Sequence, residues 1–321
     1  MSTIERREFF RRSVRAGAAV AGAACLRRSH AASGEAKRRM TIDLVPGMIG
    51  VRANLDELVE LAARHGFESV APSSSALAGK SDDELKSILA KLKNKKLIWG
   101  AAGLPGNFWT SEEEFQKSLR ALPGRAATLQ RAGVTRVGTW LNPSHRSLTY
   151  LENFKRHKQR LRAIARVLGD HGLRIGLEYI GTKTLWTRSI YPFVHTLKEA
   201  RELIAAVDVK GLGVVLDSWH WYCARETAED LMVLKNEDIV AVDLNDAPAG
   251  IPIGEQRDNR RELPAATGVI DIASFLTVLN KLGYDGPVRA EPFNQALNEL
   301  GNEEAAAATA KAIKKAMAQM R

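Results

Sequence analysis

The sequence predicts an α/β protein, a single-domain (β/α)8 barrel. Three observations predict it. Short apolar runs alternate with amphipathic helical segments eight times over roughly 285 residues. The best of those runs, Gly213-Val214-Val215-Leu216, has no polar alternation, as expected of a parallel strand covered on both faces. Four consecutive strands also reach a carboxylate where they stop: Glu178, Asp217, Asp243 and Glu291. A doubly wound sheet is the competing fold. It would place a glycine-rich phosphate turn after the first strand, and Val45-Pro46-Gly47-Met48-Ile49-Gly50 does not supply one.

Strand one is read at Met40–Val45, and the helix after it starts at the N-cap Asn54, runs to Arg64 and ends at Gly66. Strand two is Ser69–Ala71. Ser81-Asp82-Asp83-Glu84 is a capping box for the next helix. Strand three is Leu97–Ala101, with a Gly- and Pro-rich loop, Gly103–Trp109, before a helix capped at Ser111. Strand four is Thr135–Trp140. A long helix from Thr149 to His171 follows, and its basic outer face reads as solvated. Strand five is Leu173–Tyr179, followed by a helix at Leu197–Val207. Strand six is the run into Asp217, and strand seven is Ile239–Leu244. The loop from Ala247 to Gly268 is long enough to expect a functional role. Helix Ile272–Leu282, strand eight at Pro287–Glu291 and an Ala-rich helix, Glu303–Met320, complete the chain.

The composition is that of an ordinary globular protein, 45% hydrophobic and 26% charged. Residues 1–32 stand apart. Arg6-Arg7-Glu8-Phe9-Phe10-Arg11, a weakly apolar stretch from Ala16 to Leu26 and small residues near Ala31-Ala32 resemble a twin-arginine export signal. That predicts a periplasmic or extracytoplasmic mature chain, with no membrane attachment once the signal is removed. Without the seven Arg and two Glu of that segment the net charge falls from +10 to +5. No basic stripe interleaved with aromatics remains, so nucleic acid is not an expected partner. Only Cys223 is left in the mature chain, so it can form no internal disulfide.

In a barrel the strand ends form a ring, so the four carboxylates converge on one face. Side chains of like charge at that range cannot all stay ionised without a cation. All-oxygen ligation points to a hard divalent ion, Mn2+ first, with Mg2+ or Co2+ as alternatives. Taken singly, Asp217 can equally be read as the cap of the helix that follows it, with His220 packed on Trp221.

The motifs LEYIG at 177–181, LDSWH at 216–220, VDLNDAP at 242–248 and RAEPF at 289–293 resemble the xylose isomerase-like barrel family of sugar isomerases and epimerases, which includes D-tagatose 3-epimerase and inosose dehydratase. The resemblance covers nearly all of the mature chain. It implies metal ligation by Glu178, Asp217 and Glu291, with the family's histidine position taken here by Asp243 and with Asn245 as a possible substitute. It implies that Glu178 and Glu291 are the catalytic acid–base pair, shuttling a proton through a cis-enediolate of a small sugar. His220 is implied as a substrate contact. An arginine from the loop after strand seven is implied too, Arg261 in preference to Arg257 or Arg260. Trp186 and Asn142 lie on other strand-end loops and are further candidates for lining the sugar pocket. The expected activity is isomerisation or epimerisation. A lyase or dehydratase on the same site is the alternative. A nuclease like endonuclease IV or a non-catalytic sugar-binding barrel are more distant rivals, and assembly into a homo-oligomer stays open.

Overall fold

Backbone amides and apolar faces decide where this chain turns. The side chains of Asn54, Ser81, Thr149 and Thr196 each accept a hydrogen bond from the amide three residues on, while the side chain there, always Glu, accepts one from the cap residue's own amide. These capping boxes satisfy helix-end donors that would otherwise be orphaned. The computed structural model describes residues 38–321. The twin-arginine signal expected in residues 1–32 lies outside them. No helix among the described residues is long and apolar enough to cross a membrane.

The strands are β1 (Thr41–Leu44), β2 (Ser69–Val70), β3 in two pieces (Ile98–Trp99 and Ala102–Gly103), β4 (Arg136–Trp140), β5 (Arg174–Glu178), β6 (Leu212–Asp217), β7 (Ile239–Asp243) and β8 (Pro287–Arg289). The principal helices are α1 (Leu55–His65), α2 (Asp82–Asn94), α3 (Glu112–Arg131), α4 (Tyr150–Asp170), α5 (Leu197–Val207), α6 (Ser218–Cys223), α7 (Ile272–Lys281) and α8 (Asn302–Met317). The sheet runs from the first piece of β3 through β2, β1, β8, β7, β6, β5 and β4 to the second piece of β3. Every pairing in it is parallel. Only Gly100 and Ala101 separate the two pieces of β3, so the sheet closes on itself and the predicted barrel is present.

The break in β3 has a tertiary cause. A Cβ at Gly100 would collide with the Asp43 carboxylate, which points inward from β1. The barrel interior is lined with small residues. Ala101, Val215 and Ala241 form a core of their own, separate from the large apolar layer between sheet and helices. At Gly176 a Cβ would lie 2.8 Å from Val240 and 2.9 Å from Val215. At Gly138 it would meet Val215 at 3.2 Å and the Arg289 guanidinium at 3.9 Å. These small residues leave room for charged side chains inside the barrel. The helices bury one stripe each; α8, for example, buries Ala305, Ala306, Thr309, Ala310, Ile313, Ala316 and Met317.

Candidate active site

β6 delivers Asp217 fully buried at its C-terminal end. Its Oδ1 accepts the Trp219 amide at 2.7 Å, which caps α6, and the Asn245 side-chain amide at 3.0 Å. Its Oδ2 accepts Arg261 at 2.8 Å. The capping reading of Asp217 and the functional one are therefore both satisfied, by different oxygens of one carboxylate. Asn245 Oδ1 also accepts the Glu291 amide at 2.9 Å. Asn245 thus ties the end of β6 to the end of β8.

His220 is buried one turn into α6. Its Nε2 lies 3.2 Å from Arg261 Nη2 and its Nδ1 lies 3.3 Å from Thr182 Oγ1. A guanidinium can only donate, so Nε2 accepts and the ring hydrogen sits on Nδ1, facing Thr182. Burial, reinforced by Arg261, drives the imidazole pKa down to about 3, which keeps the ring neutral.

Arg261 comes from the long loop after β7 and is the hub. Besides Asp217 and His220, it donates to Glu291 Oε2 at 3.1 Å, to the Glu291 carbonyl at 3.1 Å and to Asp258 at 2.7 Å. Its guanidinium lies between the rings of Trp219 and Phe293, at 5.6 and 4.9 Å from their centroids. Of the three arginines weighed in the sequence, Arg261 is the one the structure brings to the acids.

Glu178 ends β5, and its Oε1 accepts no hydrogen bond from any described residue. Burial, then Glu291, Asp243 and Asp217, hold its pKa well above the usual carboxylate range. Burial and Asp243 push Glu291 up to about 8 against the pull of Arg261 and Arg289. Burial lifts Asp217 to about 6 despite Arg261. Asp243 faces Arg289, which donates to both of its oxygens, at 2.5 and 3.0 Å.

Arg289 and Asp258 were missed by sequence reasoning. Arg289 had a readable signal: it stands two residues before Glu291, so strand alternation puts both on one face. Asp258 had none, because an acid in a 20-residue loop carries no periodicity. Asn142 and Trp186 are not brought to the acids. Asn142 lines a separate neighbouring cavity. Trp186 ends a single helical turn, Lys183–Trp186, and stacks on His195 at 4.9 Å. Trp109 and Trp140 are the aromatics found beside the acids. They pack together at 5.2 Å and line a cavity of about 420 Å3 with Glu178, Glu291 and Arg289.

Two sets of donor atoms lie within 4.8 Å of one another: Glu178, Asp217 and His220, and Glu178, Asp243 and Glu291. The four strand-end carboxylates and Asp258 face two guanidiniums, Arg261 and Arg289, which leaves three negative charges unbalanced when all are ionised. One divalent cation would offset two of them. The unpartnered Oε1 of Glu178 gives such an ion an open donor. The residues therefore fit a hard divalent metal.

The profile of the family described as xylose isomerase-like TIM barrel matches residues 59–316. A solved structure of a xylose isomerase domain protein from Alicyclobacillus acidocaldarius superposes with a TM-score of 0.77 at 29% identity, covering 87% of this chain and 99% of that one. An inosose isomerase of Halalkalibacterium halodurans is 28% identical over 145 residues, 45% of this chain and 48% of that protein. A 3-dehydroshikimate dehydratase of Pseudomonas aeruginosa is 33% identical over 135 residues, 42% of this chain and 20% of that protein. The matched stretch thus spans about half of the isomerase and a fifth of the dehydratase.

Proposed function

This chain belongs to the xylose isomerase-like TIM barrel family, and from that premise we propose that it is a metal-dependent isomerase or epimerase of a sugar or sugar derivative. The observation that carries the reading is the pair Glu178 and Glu291. Their carboxylates lie within 4.8 Å of one another at the mouth of the barrel, and burial and the neighbouring acids raise the pKa of both. A carboxylate tuned that way suits proton transfer at carbon.

In this reading Glu178, Asp217, Asp243 and Glu291 hold the divalent ion, Mn2+ by donor hardness. When bound, the ion polarises a substrate carbonyl and its neighbouring hydroxyl, so the α-hydrogen becomes more acidic. One glutamate removes that hydrogen as a proton and the other returns a proton to carbon. Arg261 fixes the Glu291 carboxylate and supplies positive charge beside the developing oxyanion. His220, neutral and tethered through Nδ1, offers Nε2 as an acceptor to a substrate hydroxyl once Arg261 turns toward the oxyanion. Trp109 and Trp140 form an apolar wall against which a sugar face can stack. The long loop after β7 covers the site through Arg261 and Asp258.

Solvent deuterium incorporation into a panel of ketoses and inososes, with added Mn2+, tests the reading. Exchange at one carbon, lost in Glu178→Gln and in Glu291→Gln, is the expected result. Exchange that survives both substitutions, or that needs no divalent ion, would sink it. The similarity to a dehydratase supports a second reading on the same residues, in which loss of a β-hydroxyl follows proton removal. Mass spectrometry of the products separates the two: loss of water against an unchanged mass. The Arg6-Arg7 segment supports export by the twin-arginine route, and fractionation of cells with Arg6 and Arg7 changed to Lys tests it by whether the chain still leaves the cytoplasm.

A further inference from the structure

The acid ring holds a cation of its own. Arg261 Nη1 touches two of the four carboxylates proposed to hold the divalent ion, Asp217 Oδ2 at 2.8 Å and Glu291 Oε2 at 3.1 Å. Asp217 has no second oxygen to offer, because its Oδ1 already accepts the Trp219 amide and the Asn245 side chain. Nη2 of the same guanidinium lies on His220 Nε2, which stands 3.9 Å from Asp217 Oδ2 and 3.8 Å from Glu178 Oε1. Glu178, Asp217 and His220 are one of the two donor sets of the site. A divalent ion bonds such atoms at about 2.0–2.2 Å. An ion on Asp217 Oδ2 therefore comes against Nη1, and like charges that close inside a buried ring repel. This corner of the ring has room for the guanidinium or for the ion.

Arg261 is held in a way that lets it leave. Two of its contacts travel with it: Nη2 donates to Asp258 Oδ1 at 2.7 Å, and Nε donates to the Asp258 carbonyl at 3.0 Å. Asp258 stands three residues away on the same loop, with its side chain 27% exposed. A withdrawn Arg261 thus keeps a counterion, and no charge is stranded. The base of the loop is fixed. Asp246, fully buried, accepts the amides of Thr267, Gly268 and Ile270 at 2.8–3.0 Å, and its backbone pairs with Glu262. The Arg261 amide donates to the Pro292 carbonyl at 3.2 Å. Movement is left to the Arg261 side chain and to the loop tip, residues 248–260, where Arg257 and Arg260 are exposed. Apart from the contacts of Arg261, the Thr184 hydroxyl ties that tip to the neighbouring loop, donating to the Gln256 carbonyl at 3.0 Å.

We propose that Arg261 is the resident cation of this site and trades places with the divalent ion. Loading the ion takes Asp217 Oδ2 and Glu291 Oε2 from Nη1, and the Arg261 side chain swings out with Asp258 and loosens the loop tip. The inference rests on the metal reading of the acid ring. The swing bares His220 Nε2 and frees the guanidinium to meet a substrate oxyanion, so the site is completed only after the ion has entered.

Limited trypsin digestion of the EDTA-treated full chain, with and without saturating Mn2+ and with the cut sites identified by mass spectrometry, tests this. Cleavage after Arg257 and Arg260 should be about tenfold faster with Mn2+, as expected of a segment whose local opening becomes easier, while cuts elsewhere keep their rates. Arg261→Met should be cut fast at these sites with or without Mn2+. Calorimetry should show that variant binding Mn2+ about tenfold tighter than wild type, because no competing cation has to leave. Arg261→Lys, which keeps the charge and loses the fork, should fall between. Wild-type chain that binds Mn2+ with unchanged or slower cleavage at these two sites overturns the proposal and leaves the metal reading standing, and so does an Arg261→Met variant that binds Mn2+ no tighter. Failure of both wild type and Arg261→Met to bind Mn2+ overturns both.

Discussion

Replacing Arg289 by Met removes the only ion-pair partner of Asp243 among the described residues while keeping most of the side-chain volume. Two charge-assisted bonds, 2.5 and 3.0 Å long, are lost, and Asp243, 1% exposed, is left without a counterion. Breaking a buried pair from one side costs about 3–5 kcal/mol, most of it the penalty on the stranded charge. For a chain of this size that corresponds to a melting point lower by roughly 6–10 °C. The measurement is urea unfolding of EDTA-treated protein at pH 7, for wild type, Arg289→Met, Asp243→Asn and the double variant. The double variant removes both charges, so it should recover about 2 kcal/mol or more relative to the sum of the singles. A cost below about 1 kcal/mol for Arg289→Met, or strictly additive singles, would show that the interior of this barrel screens the charge and that the pair does not organise it.

Three further outcomes follow from the same structure. Burial pulls His157 from 6.5 down to about 4; its folded pKa is lowered, so stability is lost as pH falls from 6.5 through 4, and the margin of wild type over His157→Leu should shrink by about 3 kcal/mol between pH 7 and pH 4 in urea titrations. Gly100→Ala sets a methyl against the Asp43 carboxylate and should cost about 1–3 kcal/mol by overpacking, with Gly100→Ala in an Asp43→Ala background recovering most of it. Millimolar Mn2+ added to EDTA-treated chain should raise the melting point by several degrees, since a ligand at a hundred times its Kd stabilises by about 2.7 kcal/mol; the rise should vanish when Glu178→Gln and Asp217→Asn are combined.

The barrel was legible because each unit announces itself locally. The helix α5 falls on the residues expected of it, Leu197–Val207, and the capping boxes at Asn54, Ser81 and Thr149 fix their helix starts. These signals lie within four residues of the backbone they control, so no tertiary knowledge is needed. The strand-three reading, Leu97–Ala101, fails by a few residues for the opposite reason. Its interruption at Gly100 is imposed by Asp43, which is distant in sequence. The strand-end acids were legible because a parallel strand in a closed barrel has one functional end. The orientation of loop side chains was not. Trp186 and Asn142 were placed by their loop alone, and the ribbon between Ser144–His145 and Tyr191–Pro192 decides where that loop goes.

The charge of Asp243 is met by a second side chain inside the barrel. Asp243 adds a negative charge to a ring that already holds three. Left alone it would drive Glu178 and Glu291 further toward their protonated forms, because each already feels Asp243 as a repulsive neighbour. Arg289, two residues before Glu291 on the same strand face, returns one positive charge to the ring. A Cβ at Gly138 would lie 3.9 Å from its guanidinium, so the glycine there leaves it room inside the barrel.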